Sequence, residues 1–357
     1  MEGVGSVAKK SVSVSLITLG DPDTLTGGYR YHRRMAELAP RNGARLVFAS
    51  FPERPFPLAA LDARDVWRTV REQDPDVVLL DSIAAAFLAA SRAWPDVPVA
   101  AVLHQPPGGI DHGRLRTAVQ AVLDRSVYRR VARLMVASDH LAEELARQGF
   151  ADAVVVPPGR DVAAPDGPPA DMRGGARAAL LCVANWLPRK GILDLLDAVA
   201  LLPEGAARLH LAGDEDADPA YRAAVLRRLD RPDLAGRVVR HGRLTGGQVA
   251  RLYRDCDVFV LPSTREPYGT VYGEAMAAGL PVVGWRAGNL PHLARQDREG
   301  RYAEVGDVPA LAAALRALID DADLRARLGA AARERAAAFP TWEETARTFF
   351  ATLREIS

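Results

Sequence analysis

Short runs of β-branched and aliphatic residues alternate along this chain with longer stretches in which apolar positions recur at helical spacing. The runs Ser13–Thr18, Arg45–Ser50, Asp76–Leu80, Val97–Leu103, Arg133–Ala137 and Ala153–Val156 predict buried strands. Between them, Tyr31, Met35 and Leu38 fall at i, i+4 and i+7 of a helix. Residues 114–131 place Leu115, Val119, Val122 and Val127 on one broad apolar face, expected to lie on the sheet. A segment rich in Pro, Gly and Asp, residues 157–177, then breaks the period and reads as a linker. The alternation restarts beyond it. Strands are predicted at Ala179–Ala184, Arg208–Ala212, Val238–His241, Val258–Leu261 and Val282–Gly284. Helices are predicted at Gly191–Leu202, Tyr221–Leu229, Gly246–Arg254, Thr270–Ala278, Pro309–Ile319 and, after a break at Pro340, Trp342–Ile356.

Buried strands regularly separated by helices define an α/β protein with parallel sheets covered on both faces. The 357 residues are too many for one ordinary domain and suffice for two. The expected division is a first Rossmann-like domain over residues 1–165, a linker over 166–177, a second Rossmann-like domain over 178–340, and a final helical segment over 341–357. In paired open sheets the default site is the cleft beyond the strands' carboxyl ends.

Charge narrows the partners. A formal net charge of +1 argues against a protein that wraps nucleic acid. Two cysteines, Cys182 and Cys256, fit neither a metal-ligand spacing nor a disulfide scaffold, so a reducing cytoplasm is expected. No apolar run approaches membrane-span length, and the N-terminal stretch does not read as a signal peptide. The arginines of residues 114–133 accompany an apolar face of the kind a core helix needs, so membrane association beyond peripheral contact is not expected. A homodimer is compatible with the composition.

Several local patterns invite a chemical reading. Gly3–Ala8 matches a dinucleotide fingerprint but precedes the first strand, which disqualifies it. Asp-x-Asp pairs at Asp21/Asp23, Asp74/Asp76, Asp214/Asp216 and Asp216/Asp218 show how common the pattern is in an Asp-rich chain, and no metal site is assigned. Thr26-Gly27-Gly28-Tyr29 opens the first helix after the first strand, as either a close backbone approach to an anion or a plain tight turn. His104 closes a strand and precedes the Gly/Pro loop Gln105–Gly109. That place suits a site, although a lone histidine is more often structural. His112 and His140 carry less.

Asn185-Trp186-Leu187-Pro188-Arg189-Lys190-Gly191 joins a buried strand to a helix. Arg189 and Lys190 at a helix N-terminus oppose the macrodipole, a conflict that a bound anion resolves and that plain solvation also tolerates. The richest segment runs from Ser263 to Gly279. There Glu266 lies in the loop after a strand, Tyr268-Gly269 leads into the helix, and Thr270 and Val271 offer free amides at its start. Glu274 sits one turn in, on a small and apolar helix where a carboxylate needs a partner. Amides for phosphate beside carboxylates for hydroxyls suit a nucleotide sugar.

Residues 266–281 resemble the glycosyltransferase family 4 motif E-x-F/Y-G-x-x-x-x-E-A-M-A-x-G-x-P, with Glu266 and Glu274 at its E-x7-E spacing. Supporting matches are Gly27-Gly28, Val155–Gly159, Lys190-Gly191, Leu211-Ala212-Gly213 and Asp257–Ser263, so the likeness covers nearly the whole chain. The resemblance implies the GT-B architecture of two facing Rossmann-like domains. It implies a retaining hexosyltransferase that moves a sugar from a nucleotide-diphosphate-sugar donor to a hydroxyl acceptor, with no metal or other cofactor. Glu266 would bind sugar hydroxyls, Glu274 the nucleotide ribose, and Lys190 the diphosphate. Gly27 and Gly28 would approach the phosphates, and His104 would reach the transferred sugar. His241-Gly242-Arg243 would contact the base through its backbone. Members often carry Arg five residues before the lysine, where this chain has Asn185, so Arg189 would supply the second charge. The last helix would cross back onto the first domain. The Ala- and Arg-rich composition suggests a high-GC bacterium, and such a source favours a small-molecule or natural-product acceptor. The alternatives are a GT-B epimerase and a non-catalytic GT-B protein that binds a nucleotide sugar.

Overall fold

The computed structural model describes residues 11–21, 27–92, 94–160 and 165–357. The Gly3–Ala8 pattern, Lys9, Lys10, Asp23 and Thr26 lie outside the described residues. The chain forms two compact units, one of residues 1–159 with 340–357 and one of residues 160–339. The first unit therefore ends at Gly159 rather than at the expected residue 165. The proline-rich segment after it packs on the second unit, where the Arg173 guanidinium grips Asp257 and Ala170 N–H donates to Asp255.

Unit 1 is a six-stranded parallel sheet of β1 (Val12–Leu19), β2 (Ala44–Phe51), β3 (Val77–Asp81), β4 (Val99–Leu103), β5 (Arg133–Val136) and β6 (Val154–Val155), in the order β2-β1-β3-β4-β5-β6. The all-buried runs of β3 and β4 explain their unbroken apolar sequences, because helices cover both faces. The helices are α1 (Gly27–Leu38), α2 (Ala63–Gln73), α3 (Arg114–Tyr128) and α4 (Asp139–Arg147). On one face Tyr31 and Met35 of α1 meet Trp342, Phe349 and Phe350 of the chain's last helix. On the other, Trp67 and Val70 of α2 pack with Leu80, Leu103 and Val136.

One expectation is reversed. Of the four apolar side chains expected to face the sheet from α3, only Val127 is buried, whereas Leu115, Val119 and Val122 are exposed. Gln120, Ala121, Asp124, Val127 and Tyr128 are buried instead. The polar stripe is turned inward because Asp124 accepts the Gly108 N–H at 2.8 Å.

Unit 2 contains β7 (Ala178–Val183), β8 (Ala207–Ala212), β9 (Val238–Gly242), β10 (Val258–Leu261), β11 (Val282–Trp285) and β12 (Gly300–Ala303), in the order β12-β11-β10-β7-β8-β9. Its helices are α5 (Ile192–Ala200), α6 (Pro219–Leu229), α7 (Gly246–Asp255), α8 (Thr270–Ala278), α9 (Leu290–Leu293), α10 (Val308–Asp320) and α11 (Ala322–Ala337). The Thr245–Gln248 capping box starts α7, and Gly279 in the left-handed region ends α8. The last helix, α12 (Trp342–Arg354), belongs to unit 1, and its Thr345 hydroxyl donates to Pro157 O at 2.9 Å.

The strand order reverses once in each sheet. In unit 2 the connections after β7 and β10 leave in opposite directions, and in unit 1 those after β1 and β3 do so. Each reversal opens a crevice at the carboxyl edge.

Candidate active site

In unit 2 the crevice lies between β7 and β10, which pair through Leu180 with Val258 and Leu181 with Phe259. The loop after β7 carries Asn185 to Lys190, and the loop after β10 carries Ser263 to Gly269. The two are stitched together by backbone. Arg189 O accepts the Thr264 N–H at 2.8 Å and the Ser263 hydroxyl at 3.0 Å. Gly191 allows the approach: at φ +68° its absent Cβ would sit 2.1 Å from Pro262 O. The result joins two residues 76 positions apart, as the Lys190 ammonium donates to the Glu266 carboxylate. Both side chains are mostly buried, so their attraction is screened less than that of a surface pair.

The Glu266 loop is held from behind. Asn289 N–H donates to Glu266 O at 2.9 Å, and the Asn289 side-chain amide donates to Tyr268 O at 2.8 Å. Nothing in the sequence singles out Asn289. Gly269, left-handed at φ +88°, provides α8 with no side-chain cap, which leaves the Thr270 and Val271 amides directed at the crevice. Burial pushes the Tyr268 phenol well above its ordinary range. One turn in, Glu274 finds the partner its setting demands, since the buried Tyr253 hydroxyl donates to it at 3.1 Å.

The remaining unit 2 candidates have structural engagements as well. The Asn185 side-chain oxygen accepts the Asp214 N–H at 3.1 Å, tying the loops after β7 and β8 together. Arg189 reaches Arg265 O at 3.2 Å. The His241 ring stacks on His210, with Nε2 3.0 Å from His210 Nδ1, and Gly242 ends β9 beside it.

In unit 1 the structure places Gly28 against His104, where a Cβ on Gly28 would lie 3.6 Å from the imidazole, while Gly27 faces open space. Beneath His104 lies a polar cluster that the sequence reading passed over. Asp81, at the carboxyl end of β3, accepts from the Thr18 hydroxyl at 2.9 Å and lies 3.0 Å from His32 Nε2. Its second oxygen accepts from the Ser82 hydroxyl and the Ile83 N–H. The His32 and Tyr31 rings meet His104 edge-on, at 4.9 and 4.7 Å between centroids. Burial alone would raise the Asp81 carboxyl. The neighbouring His32 and the hydrogen bond from Thr18 outweigh it and hold Asp81 down at about 2. Burial, reinforced by His32, pushes His104 down to about 3, so its ring is neutral. Its Nε2 is shielded from water and has no hydrogen-bond partner among the described residues. A carboxylate closing an apolar strand is the same signal that singled out His104, and it could have revealed Asp81.

The model described as "Glycosyltransferase Family 4" matches residues 6–164, and that described as "Glycosyl transferases group 1" matches residues 177–321. Glycogen synthase of Mycobacterium tuberculosis is 31% identical over 299 residues, spanning 78% of this chain and 68% of that protein. The chain belongs to the family 4, group 1 glycosyltransferases. Within that family it is 43% identical over 96 residues to sulfoquinovosyl transferase SQD2 of Arabidopsis thaliana, a match covering 26% of this chain and 19% of that protein. HepE of Anabaena, solved in complex with UDP-glucose, has the same fold. Its TM-score is 0.79 at 20% identity, over 96% of this chain and 99% of that one. The glycosyltransferase architecture is thus GT-B, with one doubly wound sheet in each unit.

Proposed function

We propose that this glycosyltransferase is a retaining enzyme that takes a sugar from a nucleotide-diphosphate-sugar and passes it to a hydroxyl acceptor without a metal ion. The observation that carries the reading is the Lys190–Glu266 pair at the reversal of the unit 2 sheet, beside the uncapped N-terminus of α8. Without donor, cation and carboxylate neutralise each other. A diphosphate competes for Lys190 and frees Glu266 to accept hydrogen bonds from sugar hydroxyls. Lys190, Arg189 and the Thr270 and Val271 amides then face the charge that develops on the leaving diphosphate, the role a metal ion plays elsewhere. Glu274, held by Tyr253, accepts from the ribose, and the His241–Gly242 backbone borders the base. The family resemblance assigns Gly27, Gly28 and His104 to the same donor, with the neutral imidazole offering a hydrogen bond rather than a charge.

The reaction is a front-face displacement. The acceptor oxygen bonds to the anomeric carbon on the face from which the diphosphate oxygen departs, and the acceptor's proton passes to that leaving oxygen. The acceptor favoured by this reading is a small-molecule or natural-product hydroxyl, and the site of action is the cytoplasm.

Thermal melting with UDP, GDP, ADP, CMP and dTDP, each with and without EDTA, tests the donor half. One nucleoside diphosphate is expected to raise the melting temperature by mass action, equally in both conditions. A shift that EDTA abolishes overturns the metal-free reading. No shift with any nucleotide overturns the donor site.

A further inference from the structure

Seven large apolar side chains stand exposed among the described residues, and five of them lie on two adjoining segments of unit 1. Leu115, Val119 and Val122 line the outer face of α3. Leu58 and Leu61 project from the short 3-10 turn Leu58–Asp62. The segments adjoin because the Arg116 guanidinium lies over the Phe56 ring, 5.3 Å from its centre. Leu115 is 81% exposed and Leu61 75%, values that no core helix or turn would show. The spacing i, i+4, i+7 makes the α3 stripe continuous. It persists on the surface because the opposite face of α3 is committed inward through Asp124, Val127 and Tyr128.

Charge tells what covers the stripe. Arg114 and Arg116 stand exposed in its first turn, Arg125 follows beside it, and Arg129 and Arg130 stand exposed at its far end. Asp124, the one acid in α3, is buried, so the helix presents cations and aliphatic carbon but no carboxylate to solvent. Two cations in a first turn that contains no acid oppose the macrodipole, so the arrangement is not explained by helix stability. Arg54 on the adjoining segment is answered by Asp62 at 3.1 Å, and Asp111 precedes the helix, so the excess cation charge belongs to α3 itself. A second copy docked about a two-fold axis would set these arginines against their own equivalents across an apolar contact. A layer of anionic headgroups over hydrocarbon satisfies both features at once. The aliphatic tips enter the acyl boundary, and phosphates meet Arg114 together with the exposed edges of Arg116, Arg129 and Arg130, whose guanidinium groups lie over Phe56, Phe150 and Trp94. No helix among the described residues is long and apolar enough to span a membrane, so the contact is one of surface docking.

We propose that the α3 face, with Leu58 and Leu61, docks this protein on an anionic lipid bilayer. The proposal does not depend on the donor reading. It does place the membrane beside the loop that links His104 to α3. That loop is pinned to α3 by the Gly108–Asp124 bond and is passable only with glycine, since at φ +95° a Cβ on Gly108 would lie 2.5 Å from Thr117 O.

Co-sedimentation of the full chain with phosphatidylcholine vesicles containing about one third phosphatidylglycerol tests it, with pure phosphatidylcholine vesicles in parallel. The mixed vesicles are expected to bind at least about tenfold more protein, with the excess lost in high salt. The double variant Val119→Glu/Val122→Glu exchanges two exposed residues. It should keep the wild-type melting temperature and lose about tenfold or more of the vesicle binding. Absence of binding, equal binding to both vesicles, or undiminished binding by the double variant overturns the proposal. So does light scattering that shows a wild-type dimer split by the double variant, which would make the face a contact between copies.

Discussion

At the carboxyl edge of the unit 2 sheet, charge is kept within reach of a ligand. Lys190 and Glu266 meet across two loops, backed by Asn289 and flanked by the bare N-terminus of α8. At the same edge of unit 1, charge is sunk into the core. Asp81 lies under His104, gripped by Thr18, Ser82 and His32. Both edges arise from the same device, a parallel sheet whose strand order reverses once. The reversal supplies a crevice but not its chemistry. The Lys190–Glu266 pair, mostly buried at the loop edge, can exchange its carboxylate for a phosphate because the incoming anion replaces the lost charge. A buried carboxylate with three neutral donors and a histidine cannot, and is suited to hold a neighbouring ring in place.

The sharpest way to break this comparison is to remove the buried carboxylate. Asp81→Ala strands Thr18, Ile83 N–H and His32 without their acceptor. It is expected to destabilise the protein by about 3–5 kcal/mol in denaturant unfolding. A loss under about 1 kcal/mol would mean that the cluster does not serve as scaffold. Next is Lys190→Ala, expected to lower turnover by about 10²–10³ with a much smaller change in stability than Asp81→Ala. Near-wild-type turnover would remove Lys190 from leaving-group stabilisation.

The smallest effect sets two buried carboxyls of unit 1 against each other. Asp81 is held down by its partners, whereas Asp124 is pushed up to about 7, because burial outweighs the Gly108 and Ala86 backbone hydrogen bonds that favour its charge. With a native value above the unfolded one, the native state binds the extra proton. The stability from Asp124 is full below its ordinary value near 4 and is lost as pH rises through about 7. The slope is at most about 1.4 kcal/mol per pH unit. Asp124→Asn keeps the acceptor for Gly108 and cannot ionise. Its melting temperature at pH about 8 should equal or exceed that of the wild type, and the decline across this window should vanish. A parallel decline in the variant would place the proton elsewhere.

Much of the fold was legible in local pattern. The strand at Val258–Leu261 and the helix at Thr270–Ala278 have the bounds that the sequence implies, and most of the other predicted elements differ by a residue or two at their ends. β12 was not legible, because Gly300–Ala303 places an arginine and a glycine in an edge strand with no apolar run. α11 was not legible either. Its buried face consists of Leu328, Gly329, Ala332 and Ala336, too small to stand out against an Ala- and Arg-rich background. In the candidate site, Glu266, Glu274 and Lys190 could be picked out by motif. Asn289, His32 and Asp81 could not be joined to their partners by any spacing rule.

The sequence by itself determined the alternation of strand and helix, the two-unit α/β class and the glycine-flanked carboxylate motif. Each of these depends on neighbours a few residues apart, and periodicity reports such neighbours directly. The tertiary structure alone decided that Lys190 meets Glu266, that Asp81 lies beneath His104, and that α3 turns its aliphatic stripe outward. The first two depend on strand order, which brings distant loops to one edge. The third depends on a buried hydrogen bond from the Gly108 N–H to Asp124, which competes with apolar burial for the inward face of a single helix. A local pattern counts the candidates for a face, but the balance between them is set by what the rest of the chain places opposite.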